Sequence, residues 1–114
     1  MTLQLFHNPR CSKSREAVQF LEDNNIAFQT TLYLSEIPTK KELKEIIKKL
    51  NIPAQDLIRK KEKIFSENYK NINLTENEAI DLMIKHPKLI ERPILISNDA
   101  AAIGRPLSNF EQIL

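Results

Sequence analysis

At 114 residues, with 41% hydrophobic and 28% charged residues, the chain suits one domain with an ordinary buried core. Its formal charge of +2 is too small to call for nucleic acid or an anionic membrane as a partner. A single glycine, Gly104, leaves no material for a glycine-rich phosphate loop, and a single cysteine, Cys11, leaves none for an internal disulfide.

The elements follow in chain order. Leu3–Phe6 reads as a strand that enters a Pro9-containing turn. A helix over Ser12–Asn25 is predicted from Ala17, Phe20, Leu21 and Asn24, with the Asn24-Asn25 pair as its stop. Phe28, Thr30, Leu32 and Leu34 alternate with polar neighbours and Tyr33, which predicts a second strand. Strand, helix, strand in so short a stretch points to a parallel βαβ unit.

The middle of the chain is expected to be helical. Thr39-Lys40-Lys41-Glu42 is a capping box ahead of Leu43, Ile46, Ile47 and Leu50, and Asn51 with Pro53 ends that helix. Gln55–Ile64 suggests one or two short helical turns. Thr75-Glu76-Asn77-Glu78 is a second capping box, and its helix ends at His86-Pro87. Pro93–Ser97, Asn98-Asp99 and Ala100–Ile103 form a hairpin pattern. Leu107, Phe110, Ile113 and Leu114 are expected on one face of a terminal helix. A mixed α/β fold follows, with a four-stranded sheet, a thioredoxin-like order, and a helical insertion over about 39–86 inside one domain, 1–114.

No run approaches the roughly 20 apolar residues of a membrane span. The first residues lack the basic-then-apolar pattern of a secretory signal, so the cytoplasm is the expected location. Two histidines and one cysteine without ligand spacing make a metal site unexpected.

The chemistry concentrates at His7-Asn8-Pro9-Arg10-Cys11-Ser12-Lys13-Ser14-Arg15. A thiol at a helix N-terminus faces free N–H groups and the positive dipole end, which favour thiolate. Arg10, Lys13 and Arg15 add positive charge nearby; the alternative is a small buried cysteine with no reactivity. His7 either supports the thiolate as imidazolium or orients the loop by a hydrogen bond. Ser14 stands where a Cys-x-x-Cys oxidoreductase has its second thiol, and either meets the sulfur or is a plain first-turn residue. Arg59, Arg92 and Arg105 lie beside turn or strand-entry signals; each is either an oxyanion ligand or a solvated side chain. Pro93 opens a strand, where the thioredoxin fold carries a cis proline, and an ordinary trans proline is the alternative.

Taken together, the Cys11 loop, Leu57-Ile58-Arg59-Lys60, Pro87–Ile94 and Gly104-Arg105-Pro106 resemble the glutaredoxin-coupled arsenate reductase family over essentially the whole chain. The likeness is strongest to a small bacterial branch whose loop reads Asn-Pro-Arg-Cys-Ser-Lys-Ser-Arg. The best-known reductases have Gly-Thr where this chain has Ser12-Lys13. The resemblance implies Cys11 as nucleophile and Arg59, Arg92 and Arg105 around the arsenate, with His7, Ser14 and Arg15 in the thiolate's environment. It implies glutathione as co-substrate, glutaredoxin as partner, and no bound metal or organic cofactor. Spx-type regulators, which bind RNA polymerase, share the fold and the Arg-Pro elements, but many carry a Cys-x-x-Cys switch that Ser14 removes here. A glutathione-dependent thiol reductase of another substrate is a third reading.

Overall fold

The computed structural model describes residues 3–114, in which the chain forms two compact units. One runs up to Glu36 and resumes at Arg92–Leu114; the other is Ile37–Glu91.

The first unit holds the whole sheet. Its strands are β1 (Gln4–Phe6), β2 (Gln29–Thr31), β3 (Ile94–Ile96) and β4 (Ala101–Ile103), in the order β2-β1-β3-β4. β1 pairs parallel with β2 and antiparallel with β3, and β3 pairs antiparallel with β4. The parallel pair requires a crossover, which helix α1 (Ser12–Asp23) supplies. Leu5, Leu95 and Ala102 stand side by side across the sheet. Ala17 and Leu21 of α1 join them with Leu3 and Phe110 in one core, each at most 6% exposed. Alternate residues point the other way, where Phe6 stacks on Tyr33 with ring centroids 5.7 Å apart.

α1 stops where the asparagine pair predicts. The Asn24 amide side chain bonds the Phe20 carbonyl, and Asn25 takes the left-handed conformation at φ 57°, which asparagine tolerates better than most residues. In the hairpin, the Ser97 hydroxyl accepts from the Ala100 N–H and closes the turn.

Two expectations need correction. The second strand does not reach Leu34: it ends at Thr31, because the Leu32 carbonyl accepts from Ser35 and Glu36 and turns the chain. Leu32 and Leu34 are exposed and Tyr33 is the buried residue, the reverse of the predicted facing. The C-terminal segment is a six-residue 3-10 helix, Leu107–Gln112, with Phe110 buried and Leu114 outside the packed face. With three residues per turn, Leu107, Phe110 and Ile113 fall on one stripe against the core as expected, and only Leu114 lies outside it.

The second unit is helical: α2 (Lys40–Leu50), α3 (Lys63–Asn68) and α4 (Glu76–Lys85), with 3-10 turns at Ala54–Leu57 and Pro87–Leu89. Both capping boxes are formed, Thr39 with Glu42 and Thr75 with Glu78. Leu43, Ile46 and Ile47 of α2 and Ala79, Ile80 and Met83 of α4 are buried. Within this unit Gln55–Ile64 is only partly helical: Ile58 forms an antiparallel bridge to Ile90.

Candidate active site

Cys11 is the N-cap of α1, its backbone extended at φ −93° and ψ 124°. The loop before it is tied down by Asn8. The Asn8 carbonyl accepts from the Cys11 N–H at 3.0 Å, its side-chain oxygen accepts from the Arg10 N–H at 3.1 Å, and its own N–H donates to the Ser14 hydroxyl at 3.0 Å. Asn8 is buried, and its bond to Ser14 is made away from water. The Asn-Pro pair is a turn signal, and it could have drawn attention to Asn8.

The Ser14 side chain is fully buried and engaged by the loop: besides Asn8, it shares a 2.8 Å hydrogen bond with His7 Nδ1. His7 is held below its ordinary pKa, first by burial and then by the nearby Arg15 charge. It is therefore neutral near pH 7, which favours the loop-orienting role over the imidazolium one. Arg15 donates Nη1 to the Pro9 carbonyl at 2.9 Å and closes the loop from outside.

The sulfur meets two arginines. Arg105 donates Nη2 to Cys11 Sγ at 3.6 Å and Nε to the Arg92 carbonyl at 2.7 Å. The Arg92 side chain also reaches the sulfur as a hydrogen-bond donor. Burial is the largest single influence on Cys11 and raises its pKa. The Ser14 amide, the Arg92 side chain, the Lys13 amide and the Arg92 charge together outweigh it, so the thiol lies below its usual range. Cys11 makes no full side-chain capping bond, so these amides act as aligned dipoles rather than as a closed cap. Of the cations close in sequence, Lys13 acts on the thiol through its backbone amide, while the charge that acts on it comes from Arg92.

Both arginines arrive on X–Pro units. Arg92-Pro93 is cis, and so is Arg105-Pro106, which nothing in the sequence singled out. Gly104 between them donates its N–H to the Pro93 carbonyl. A Cβ there would lie 2.7 Å from Phe110 Cζ and 2.9 Å from Pro93 Cγ, so only glycine fits without a shift.

Arg59 belongs to the other unit. It is not on a solvated helix face: its backbone N–H bonds the Leu89 carbonyl at 2.7 Å. Its guanidinium is paired with Glu62 at 3.1 Å and Glu91 at 3.5 Å. The same unit contains a cavity of about 570 Å³ lined by Lys44, Lys48, Ile47, Glu76 and Ile80 among others, with no nucleophile in its wall. Among the described residues no group of three or more His, Cys, Asp or Glu side chains could hold a metal ion. No helix of the described residues is long and apolar enough to cross a membrane.

The ArsC family model matches residues 6–113. The chain is 42% identical to an arsenate reductase of Neisseria meningitidis serogroup A over 98% of this chain and 97% of that one. It is 40% identical to an arsenate reductase of Haemophilus influenzae over the full length of both. Among solved structures, an arsenate reductase from Vibrio cholerae superposes with a TM-score of 0.93 at 39% identity, covering 100% of this chain and 98% of that one.

Proposed function

Since the chain belongs to the ArsC family, we propose that it is an oxidoreductase that reduces arsenate to arsenite through Cys11. The observation that carries the reading is a thiol of lowered pKa at the start of α1, with the Arg105 guanidinium 3.6 Å from its sulfur. A thiolate is the attacking form, and forked guanidinium groups suit a tetrahedral oxyanion. Relatives named arsenate reductase match nearly the whole chain, which supports arsenic as the atom attacked.

In this mechanism arsenate sits over the free amides at the α1 N-terminus. Cys11 thiolate displaces one arsenate oxygen, which leaves as water, and a sulfur–arsenic(V) bond forms. Arg92 and Arg105 carry the charge on the remaining oxygens. Family resemblance gives Arg59 the same task. Glutathione then supplies the second thiol. Two sulfurs each give up one electron, arsenic(V) becomes arsenic(III), and arsenite leaves. Cys11 is left in a mixed disulfide with glutathione, from which glutaredoxin takes the glutathionyl group. No bound organic cofactor or metal enters these steps, and the cytoplasm supplies the reduced glutathione they consume.

The test is arsenate-dependent NADPH oxidation in a coupled assay containing glutathione, glutaredoxin and glutathione reductase. Turnover that disappears in Cys11→Ser supports the proposal. Absence of turnover by the native chain, with glutaredoxin shown to be active, rejects it.

A further inference from the structure

Arg59 is held by more than one ion pair. Ile58 and Ile90, both buried, form an antiparallel bridge. Around it the Arg59 N–H donates to the Leu89 carbonyl at 2.7 Å, and the Glu91 N–H to the Leu57 carbonyl at 2.8 Å. That register sets Arg59 and Glu91 diagonally on one face of the ladder, a spacing that long side chains can bridge. Glu62 arrives by another route. Its N–H donates to the Arg59 carbonyl at 3.1 Å, and this turn brings its side chain back to Arg59. The two carboxylates take different nitrogens: Glu62 Oε1 lies 3.1 Å from Nη1 and Glu91 Oε1 lies 3.5 Å from Nε. The three side chains are between 21% and 28% exposed, so water screens them less than it screens an open surface pair. One carboxylate would suffice to pair the charge of Arg59. Two, on separate nitrogens, also fix the plane of the guanidinium. Nη2 has no hydrogen bond or ion pair among the described residues.

We propose that Glu62 and Glu91 are positioning residues, which hold the Arg59 guanidinium in a fixed plane with Nη2 left for the oxyanion substrate. The inference rests on the reading above, in which Arg59 is an oxyanion ligand, and names what keeps that ligand in place. An untethered arginine gives up side-chain freedom each time it binds an anion, whereas one already ordered by its neighbours does not. The opposite role for the same two acids is a brake, in which they compete with the oxyanion for Arg59. The two roles differ in sign. Removing negative charge beside an anion ligand tightens anion binding if charge alone decides. If the acids position the fork, removing them loosens binding.

The experiment uses the full chain with Glu62→Gln and Glu91→Gln, singly and together, which remove charge and keep size. Arsenate, and separately sulfate as an unreactive oxyanion, is titrated as a protectant of Cys11 against iodoacetamide. Protection is taken relative to each variant's own rate without anion, so that any change in thiol reactivity cancels. The double variant should raise the half-protecting concentration on the order of tenfold. Each single variant, with one hold remaining, should fall between it and the native chain. In an Arg59→Ala background the two glutamine changes should add nothing, because the group they position is gone. A pair that only supports the fold would weaken protection in both backgrounds. Tighter protection, unchanged protection, an equal loss in the Arg59→Ala background, or Arg59→Ala itself without effect each overturns the proposal. The two readings part cleanly. A chain whose Cys11 gains Arg59-dependent protection from sulfate, lost in the glutamine variants, but which never reduces arsenate loses only the reductase reading. One that reduces arsenate equally well with glutamine at both positions loses only this one.

Discussion

Arg10, Lys13 and Arg15 crowd Cys11 in the sequence, yet the sulfur's acidity comes from backbone amides and from Arg92, a residue 81 positions away. Charge close in sequence is not charge close in space, and an exposed ammonium is screened by water in a way that a half-buried guanidinium is not. Alkylation of Cys11 by iodoacetamide should therefore show a midpoint below the ordinary ~8.5. Arg92→Ala should move it upward, while Arg10→Ala should not. The same shift has a sign in stability. A thiolate favoured by the fold adds its stabilisation in full above the ordinary thiol pKa and loses it as pH falls through the lowered value. Cys11→Ser should flatten the stability profile in that window. His7 behaves likewise as a depressed base: its NMR titration should fall below ~6.5. A midpoint above that would restore the imidazolium role. Arg92→Lys and Arg105→Lys keep the charge but lose the fork, and each should lower kcat by about 10²-fold in the coupled assay. Lysine at 105 also cannot both hold the Arg92 carbonyl and face the sulfur.

At the scale of elements, the helices were legible because their signals are local. Both capping boxes and the Asn24-Asn25 stop lie where the pattern puts them. Thr39→Ala and Thr75→Ala should each cost about 1 kcal/mol in urea unfolding. The strands were less legible. A three-residue strand leaves too few alternations to fix its end, so Leu32 and Leu34 read as strand positions although the turn at Ser35 had already taken the chain out of the sheet. The loop–strand junctions carry the more telling case. Gly104 looked in sequence like a turn residue, but its φ is not positive; it is required by the close approach of Phe110 and Pro93. Gly104→Ala forces the fully buried Phe110 ring or the Pro93 ring to move, at about 1–3 kcal/mol. Because Arg105 is the next residue, the variant should also shift the alkylation profile of Cys11, whereas an equally destabilising cap variant such as Thr75→Ala should not.

For the molecule as a whole, sequence motifs reached the site faster than they reached its supports. Cys11, Arg92 and Arg105 could be marked because reactive thiols and Arg-Pro units are recognisable residue types. The meeting of Cys11 with Arg105 across 94 positions follows only from the antiparallel pairing that places β3 and β4 beside β1. The acidic partners of Arg59 and the cis form of the second Arg-Pro bond are defined by contacts rather than by composition, so the sequence did not mark them. One consequence of composition does reach the reaction. With one cysteine in 114 residues, no internal disulfide can discharge a Cys11 adduct, and Ser14, where a second thiol could stand, is buried with its hydroxyl held by His7 and Asn8. Without glutathione the chain should therefore stop at one covalent arsenic adduct, visible by mass spectrometry in the native protein and absent from Cys11→Ser. Glutathione alone should release part of that adduct but sustain little cycling, because the mixed disulfide on Cys11 still needs a thiol exchanger. Glutaredoxin should restore cycling, and thioredoxin should replace it poorly, since it acts best on a protein disulfide that this chain cannot form within itself. Rapid multiple turnover with thioredoxin as sole reductant would reject the glutathione-coupled mechanism while leaving the Cys11 nucleophile in place.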